Sequence, residues 1–227
     1  MFDFNESKNT YVSSIEESIN FVGKDLDFFV TVKASLLKKT IKKLLPHVKR
    51  PRILDIGCGH GLIHRYLPND TFEVVGVDVA DEVLDLARQS NAEVTYLTYD
   101  GKALPFQSES FDVAIALCVM HHVPPSQWGS FLVEMRRILK KDGIAVVFEH
   151  NPYNPVTRYI VANSPLDKGA TLLRSSDLKQ MMNQVGLESA KSDYILFTPF
   201  SPPIFRWLDT VLKWCPLGAQ YYTISKR

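Results

Sequence analysis

The segment that most constrains the fold is Ile53–Ile63, with the sequence ILDIGCGHGLI. Its apolar start is typical of a short strand buried on both faces of a parallel sheet. Glycines follow at alternate positions, and glycine can turn tightly and let a ligand approach the backbone closely. Leu62, Ile63, Tyr66 and Leu67 then recur at helical spacing. The segment predicts a strand, a glycine turn and a helix N-terminus, which together form a nucleotide-binding crevice.

The spacing of these glycines differs from that of the dinucleotide-binding fingerprint. The fingerprint is G-x-G-x-x-G, with its glycines over a pyrophosphate. This chain has D-x-G-x-G-x-G instead, with Asp55 at the strand end. A carboxylate is unfavourable beside a pyrophosphate but favourable beside a ligand that carries an ammonium group. On this segment alone, a merely structural turn is the alternative.

The rest of the chain alternates between predicted strands and helices. Further strands are predicted at Glu73–Val77, Glu93–Leu97, Phe111–Cys118, Ile144–Phe148, Leu187–Thr198 and Gln220–Ser225. Helices are predicted from Asp25 to before Pro46, then at Ala80–Ser90, Gln127–Leu139, Ser175–Val185 and Pro202–Cys215, and Gly143 is interpreted as a helix-ending glycine. The alternation indicates a parallel sheet with right-handed crossovers, which binds ligands at the C-terminal ends of its strands.

Composition and charge exclude several other classes of protein. The net charge is +1, so nothing calls for nucleic acid as an electrostatic partner. The three cysteines, Cys58, Cys118 and Cys215, show neither metal spacing nor a disulfide framework, which favours a reducing cytoplasm. The N-terminus lacks the features of a signal peptide, and no stretch approaches the roughly 20 apolar residues of a membrane span.

An acidic residue also ends the second predicted strand. Asp78 lies about 20 residues beyond Gly57, where a carboxylate is placed to accept hydrogen bonds from ribose hydroxyls. The alternative is that Asp78 caps the following helix, although Asp81 is an equally good cap. Two acidic strand ends at this separation favour a nucleoside ligand over a structural turn.

These motifs, taken in order, resemble those of the class I S-adenosylmethionine-dependent methyltransferases. The similar segments are the D-x-G-x-G-x-G turn, Asp78, Asp100-Gly101, Leu104-Pro105-Phe106, Phe111-Asp112 and Leu139–Gly143. The resemblance covers about residues 50–150 and a C-terminal hairpin. It implies an α/β, Rossmann-like, doubly wound and mostly parallel sheet of about seven strands, the last antiparallel. To this fold the sequence adds a helical N-terminal extension and a helix inserted before the last strand.

The resemblance also implies S-adenosylmethionine as the cofactor and assigns residues to it. Asp55 interacts with the ammonium group, Asp78 holds the ribose hydroxyls, and Val79 packs on the adenine. The other implied contacts are Gly57, Cys58, Gly59 and Gly61 under the methionine portion, Asp100 and Gly101 at the adenine, and Leu117 and Cys118 at the methionine end. The chain is then one methyltransferase domain, 1–227, with a helical cap (1–45), a cofactor-binding core (50–150) and a substrate-side part (151–227).

Candidate catalytic residues follow the fourth and fifth predicted strands. His121, His122, Glu149 and His150 lie where the methyl group should project. His122 or His150 is interpreted as a general base, since histidine accepts protons near neutral pH. The alternatives are that His122 braces its loop and that Glu149 binds an acceptor group or a helix end. No metal is expected, because His60 and His64 share a spacing of four but lack a third ligand.

The methyl acceptor is expected to be a small molecule under an aromatic roof. The roof candidates, in segments 1–30, 151–174 and 202–215, are Phe4, Tyr11, Phe28, Tyr153, Tyr159, Phe197, Phe200, Phe205 and Trp207. Most of these could equally fill the core, and helix 202–215 could contact a second copy or a membrane surface. The alternatives to a methyltransferase are a nicotinamide-dependent dehydrogenase and a non-catalytic subunit with the same fold.

Overall fold

The computed structural model describes residues 26–198, 207 and 209–227. The strands of the sheet are β1 (Arg52–Ile56), β2 (Glu73–Asp78), β3 (Thr95–Thr98), β4 (Phe111–Leu117), β5 (Leu139–His150), β6 (Glu188–Ile195) and β7 (Gln220–Lys226). The helices are α1 (Leu26–Leu44), α2 (Asp81–Ser90), α3 (Trp128–Ile138), α4 (Pro155–Asn163) and α5 (Ser175–Gln184).

The sheet has the strand order β3-β2-β1-β4-β5-β7-β6. β1 pairs in parallel with both β2 and β4, and β7 alone runs antiparallel to its neighbours β5 and β6. This confirms the predicted Rossmann-like sheet with one antiparallel strand. The chain order reverses between β1 and β4, so a crevice opens there at the C-terminal ends of the strands, as in other open α/β sheets.

Alternate residues of the central strands supply two cores, one on each face of the sheet. Leu54 and Ile56 of β1 lie in the core that α3 and α5 cover. Ile53, the residue before Leu54, lies in the core on the opposite face, to which α1 contributes Leu37 and Ile41. Strands buried on both faces require this near-continuous run of apolar residues. The cores fix the strand ends, and with them the residues that line the crevice.

The helix predicted directly after the glycine turn is absent. Only a short 3-10 turn, His64–Tyr66, forms there. The chain between Gly61 and Pro68 is too short for two helical turns, and the residue before a proline disfavours the helical conformation. The prediction from Leu62, Ile63 and Leu67 was therefore wrong, although Ile63 and Leu67 are buried in the core.

The end of α3 also differs from the sequence-based expectation. The helix ends at Ile138, and β5 begins directly at Leu139 rather than at Ile144. Its pairing with β4 is irregular between Phe111 and Val113, so residues after Leu139 form a bulged start to the strand. Gly143 therefore does not end the helix. A Cβ there would lie 2.8 Å from the Lys140 carbonyl oxygen, so the bulge itself requires glycine.

Part of the predicted outer structure lies outside the described residues. This applies to Phe4, Tyr11, Phe200 and Phe205, and to residues 202–206 and 208 of the helix predicted at 202–215. Trp207 and residues 209–211 are helical, whereas 212–219 form turns and bends, so the predicted helix end at Cys215 was wrong. Within the part of the chain that the structure describes, every helix is too short or too polar to cross a membrane.

Candidate active site

The glycine turn is held against the end of β2. The amides of Gly57 and Cys58 both donate to the carbonyl oxygen of Val77, at 2.7 and 3.0 Å. Gly57 has a φ of 74°, and a Cβ at this position would lie 2.8 Å from both methyl carbons of Val119. Any other residue at position 57 would therefore be strained in its backbone and would clash with the loop after β4.

Asp55 is buried at the end of β1, and its two carboxylate oxygens have different surroundings. Oδ2 lies 3.0 Å from Nε2 of His64, and Nδ1 of His64 lies 2.7 Å from the hydroxyl of Tyr96. Oδ1 is buried and has no hydrogen-bond partner among the described residues. Such an oxygen is costly to bury unless a ligand or water donates to it. His64 therefore orients Asp55, a role that the sequence did not suggest.

Asp78 joins the end of β2 to the glycine turn. Its Oδ2 accepts a hydrogen bond from the amide of Gly59 at 2.8 Å, and its Oδ1 accepts one from the amide of Ala80 at 3.1 Å. Burial raises the pKa of Asp78, although these two backbone hydrogen bonds oppose the rise. The N-cap of α2 is Ala80, which has no capping side chain. Asp78 is therefore not the helix cap that was considered as its alternative role.

Val79 and Gly101 lie side by side beyond Asp78. The side chain of Val79 is 53% exposed. A Cβ on Gly101 would lie 3.3 Å from a methyl carbon of Val79, so the two residues are close neighbours. Asp100 shapes this loop by accepting hydrogen bonds from the amides of Lys102 and Ala103, which lower its pKa. The exposed apolar side chain of Val79 offers a surface that suits the face of a flat ring.

The opposite end of the crevice is the tip of β4, at Leu117 and Cys118. Cys118 has a φ of 58°, and its amide donates to the carbonyl oxygen of Phe148 at 2.8 Å. Its sulfur lies 3.3 Å from Nζ of Lys33 on α1 and 3.6 Å from Nε2 of Gln220 on β7. Burial raises the pKa of the Cys118 thiol, although Lys33 opposes the rise. Polar groups from three elements therefore meet at this tip.

Comparison with known proteins identifies the family. A family model described as a methyltransferase domain matches residues 54–147, which span the crevice from Asp55 to the tip of β4. A ubiquinone biosynthesis O-methyltransferase from Ruegeria pomeroyi is 30% identical over 189 residues, covering 78% of this chain and 73% of that protein. The chain belongs to the class I S-adenosylmethionine-dependent methyltransferases. This excludes the dehydrogenase that was the alternative enzyme class.

A second relative agrees with this assignment, and two solved structures share the fold. The ubiquinone biosynthesis O-methyltransferase of Roseobacter denitrificans is 29% identical over 189 residues, covering 78% of this methyltransferase and 75% of the relative. A methyltransferase structure from Archaeoglobus fulgidus matches with a TM-score of 0.61 and 18% identity over 86% of this chain and 94% of its own. Haemonchus contortus phosphoethanolamine N-methyltransferase 2, solved with S-adenosyl-L-methionine, matches with a TM-score of 0.68 and 15% identity over 100% of this chain and 60% of its own.

As a member of this family, the methyltransferase uses S-adenosylmethionine as its cofactor. The crevice offers the groups that such a cofactor needs. The unpartnered Oδ1 of Asp55 suits an ammonium group, since it is a buried anionic oxygen without a donor. The exposed apolar side chain of Val79 suits the face of the adenine ring, and the glycine turn lies between Asp55 and Val79 along the chain.

Beyond the tips of β4 and β5 lies a buried cluster of histidines and carboxylates. Glu149 is fully buried, and its Oε1 accepts a hydrogen bond from the amide of Met120 at 2.7 Å. Its Oε2 lies 2.6 Å from Nδ1 of His121. Both oxygens of Glu149 are therefore used to hold the 3-10 turn Met120–His122 against the end of β5.

Asp167, which the sequence did not single out, completes this cluster from the loop after α4. Its Oδ1 lies 3.3 Å from Nε2 of His121 and 3.6 Å from Nε2 of His122. Burial opposes the charge on His121, but Glu149 and Asp167 raise its pKa to about 10. In return His121 lowers the pKa of Asp167 to about 2 and also lowers that of Glu149, against the effect of burial. His121 is thus a buried imidazolium between two carboxylates.

His122 and His150 flank this imidazolium and are neutral. Their ring centres lie 4.1 and 5.0 Å from that of His121. Burial, and then the charge on His121, lower the pKa of each to about 4. Both imidazoles are therefore unprotonated at neutral pH. The cluster brings together all three residues that the sequence proposed as catalytic, His122, Glu149 and His150.

The same cluster includes a set of atoms with metal-ligand spacing. His121, His150 and Asp167 each place one such atom within 4.8 Å of the others. His121 has both ring nitrogens beside carboxylates, at 2.6 Å from Glu149 and 3.3 Å from Asp167. An ion-paired imidazolium accounts for this geometry, because carboxylates on both sides favour the protonated ring.

A surface groove of about 910 Å³ adjoins the cluster through Asp167. It lies between α4 and the loop that follows, and Tyr159, one of the predicted roof residues, lines it. Tyr153 is 50% exposed and Trp207 is 60% exposed. Phe28 and Phe197 instead pack against the cores. The predicted aromatic roof thus divides into surface and core residues within the described part of the chain.

Proposed function

We propose that this methyltransferase transfers the methyl group of S-adenosylmethionine to a hydroxyl oxygen of a small molecule. The observation that carries the proposal is the position of two imidazoles, His122 and His150, at the ends of β4 and β5, with ring centres 4.1 and 5.0 Å from that of His121. A hydroxyl acceptor must lose its proton, and such imidazoles can take it. The names of the O-methyltransferase relatives support the same acceptor atom.

In this proposal the cofactor is held along the strand tips. Asp55 pairs with its ammonium group, and Asp78 accepts hydrogen bonds from its ribose hydroxyls. Val79 packs on the adenine. The remaining contacts are Gly57, Cys58, Gly59 and Gly61 beneath the methionine portion, Asp100 and Gly101 beside the adenine, and Leu117 and Cys118 at the methionine end.

The cofactor supplies an activated methyl group on a sulfonium. The protein supplies alignment of the acceptor oxygen, exclusion of water and a proton acceptor. We propose His122 as this base, with Asp167 holding its ring through the contact at 3.6 Å. His150 is the second candidate, because it has the same neutral state and lies on the other side of His121.

Glu149 has a different role in this proposal. Both of its oxygens are engaged within the protein, by Met120 and His121, and its side chain is fully buried. It therefore acts as a positioning residue that keeps His121 charged. Burial and, after it, the charge on His121 lower the pKa of His122 and of His150, so that both are unprotonated at neutral pH.

The test is to identify the atom that receives the methyl group. Purified protein is incubated with S-adenosylmethionine carrying a ¹³C-methyl group and with fractions of small hydroxylated metabolites. The methyl carbon of the product is then assigned by NMR, since its chemical shift separates methyl on oxygen from methyl on nitrogen or carbon. An O-methyl product is expected. A product methylated only on nitrogen or carbon would contradict the proposal.

A further inference from the structure

Two polar side chains at the tip of β4 meet on either side of one sulfur atom. Nζ of Lys33 lies 3.3 Å from Sγ of Cys118, and Nε2 of Gln220 lies 3.6 Å from the same atom. Lys33 comes from α1 and Gln220 from the start of β7. Neither residue is part of the cofactor-binding motifs, yet both reach the end of the crevice where the methyl group is transferred.

The ammonium group of Lys33 has no strong acceptor there. In residues 26–198 and in the described part of 207–227, Lys33 makes no ion pair, and its hydrogen bond is to Cys118. Burial raises the pKa of that thiol, so the sulfur is neutral and only a weak acceptor. A partly desolvated ammonium is better stabilised by an oxygen that bears full or partial negative charge.

The oxygen of the Gln220 amide lacks a hydrogen-bond partner among the described residues. The residue is only 8% exposed, its Nε2 lies 3.4 Å from Nδ1 of His150, and its Oε1 is buried without a hydrogen bond in the described part of the chain. Rotating the amide would exchange the two atoms and leave the NH₂ group unpaired instead. A hydroxyl satisfies either arrangement, because it can both donate and accept.

We propose that Lys33 and Gln220 form the subsite that holds the reacting hydroxyl of the acceptor, and that this hydroxyl is phenolic. The inference rests on the proposed O-methylation and specifies its substrate class. The oxygen accepts a hydrogen bond from Lys33 and pairs with the Gln220 amide. An ammonium stabilises a developing oxyanion, which helps a weakly acidic phenol to ionise far more than it helps an alcohol.

The step balances with the groups present. The O–H bond of the phenol breaks, and its proton passes to the neutral imidazole of His122 or His150. A lone pair of the oxygen forms the new bond to the methyl carbon, and the electron pair of the broken S–CH₃ bond stays on sulfur. The sulfonium becomes a neutral thioether, and the imidazole becomes an imidazolium, so charge is conserved.

The test uses 4-nitrocatechol, a phenolic probe whose visible absorption reports its ionisation. The probe is titrated into the protein saturated with S-adenosylhomocysteine, so that no methyl transfer occurs. For the wild-type protein we expect binding that lowers the pKa of the probe by about one or more, since an adjacent cation shifts an acid by this amount. The lower pKa appears as the ionised spectrum at a pH where the free probe is neutral.

The variants separate charge from shape. Lys33→Met should abolish the spectral shift and weaken probe binding about tenfold, whereas Lys33→Arg should keep most of the shift. Gln220→Leu should weaken binding about fivefold while the shift remains. The matched control is Lys38→Met, an exposed lysine of the same helix, which should behave as wild type. Affinity for S-adenosylhomocysteine, measured by calorimetry, reports correct folding of every variant.

Two results would overturn the subsite: a Lys33→Met protein that ionises the probe as wild type does, or a wild-type protein that binds no probe at millimolar concentration. Its failure is distinguishable from failure of the proposed function. A product methylated on nitrogen, from a protein that still ionises the probe through Lys33, would remove O-methylation and leave at Lys33 only a phenol-binding site without a reacting hydroxyl. An O-methyl product from a protein that does not ionise the probe would remove the subsite and leave the proposed function.

Discussion

Nε2 of His64 lies 3.0 Å from Oδ2 of Asp55, and this contact fixes the carboxylate at the end of β1 in one orientation. The ring of His64 is itself held by the hydroxyl of Tyr96 at 2.7 Å. The arrangement leaves Oδ1 of Asp55 as the atom without a partner in the described part of the chain. His64 is therefore a positioning residue for the acid that we assign to the ammonium group of the cofactor.

His64→Ala should weaken binding of S-adenosylmethionine about tenfold, because Asp55 would lose the hydrogen bond that orients it. His64→Gln should restore most of the affinity, since its side-chain NH₂ can donate to the same oxygen. Calorimetry on both variants checks this. If the alanine and glutamine variants lose affinity equally, the loss reflects packing of the ring and the positioning role is withdrawn.

Asp78→Ala should weaken S-adenosylmethionine binding by at least about tenfold, because it removes the acceptor for the ribose hydroxyls and frees the amide of Gly59. The control is Asp81→Ala. Asp81 also lies beside the end of β2, but it contacts Thr98 and Arg88 and is exposed. Calorimetric affinity should be unchanged in the Asp81 variant, and an unchanged affinity in the Asp78 variant would remove the ribose assignment.

Gly57→Ala should destabilise the protein by about 2–4 kcal/mol, because alanine is strained at positive φ and its Cβ would meet Val119. Gly129→Ala is the matched control, since a Cβ at this position in α3 meets nothing within 4 Å, and alanine should stabilise a helix there by up to about 1 kcal/mol. Urea unfolding measures both. In the double variant Gly57→Ala/Val119→Ala the clash disappears but the φ strain remains, so its loss of stability should be smaller than the sum of the losses in the two single variants. A loss equal to that sum would contradict the close approach of residue 57 to Val119.

The sequence predicted the crevice well because its parts are local. Asp55, Gly57 and Asp78 each follow a strand that its own apolar run identifies, and parallel strands bring their C-terminal ends to one edge. The missing helix after Gly61 shows where a local signal fails. Apolar spacing over six residues indicated a helix, but the segment is too short before Pro68 to form one.

The acceptor side could not be predicted in the same way, because its contacts join distant parts of the chain. Lys33 and Cys118 are 85 residues apart, and Cys118 and Gln220 are 102 apart. Asp167 lies in a loop with no motif of its own, and it becomes significant only when folding places it beside His121. Nothing in local periodicity or spacing specifies such pairs.

His122→Ala should lower kcat by about 10²-fold or more with little change in cofactor affinity, since the variant lacks the proton acceptor but keeps the crevice. His150→Ala is expected to have a smaller effect. His47→Ala, an exposed histidine, serves as the control. Turnover is measured with saturating cofactor and a hydroxylated acceptor. Full turnover in both His122→Ala and His150→Ala would remove the general base from the mechanism.

The histidine cluster should also give the stability of the protein a maximum near pH 6.5. His121 has a folded-state pKa of about 10, above its ordinary 6.5, so its contribution is complete below pH 6.5 and is lost as the pH rises towards 10. His122 and His150 have folded-state pKa values of about 4. The unfolded chain therefore binds more protons than the folded one between pH 6.5 and 4, and stability falls as the pH drops through that range.

Urea unfolding measured across this pH range checks the expectation. Each group can change the free energy of unfolding by at most about 1.4 kcal/mol per pH unit, so the acid arm, with two histidines, should be steeper than the alkaline arm, with one. His121→Gln should flatten the alkaline arm, because the group that loses its proton there is gone. His47→Ala should leave the profile unchanged. An alkaline arm that persists in His121→Gln would mean that the imidazolium between Glu149 and Asp167 does not stabilise the fold.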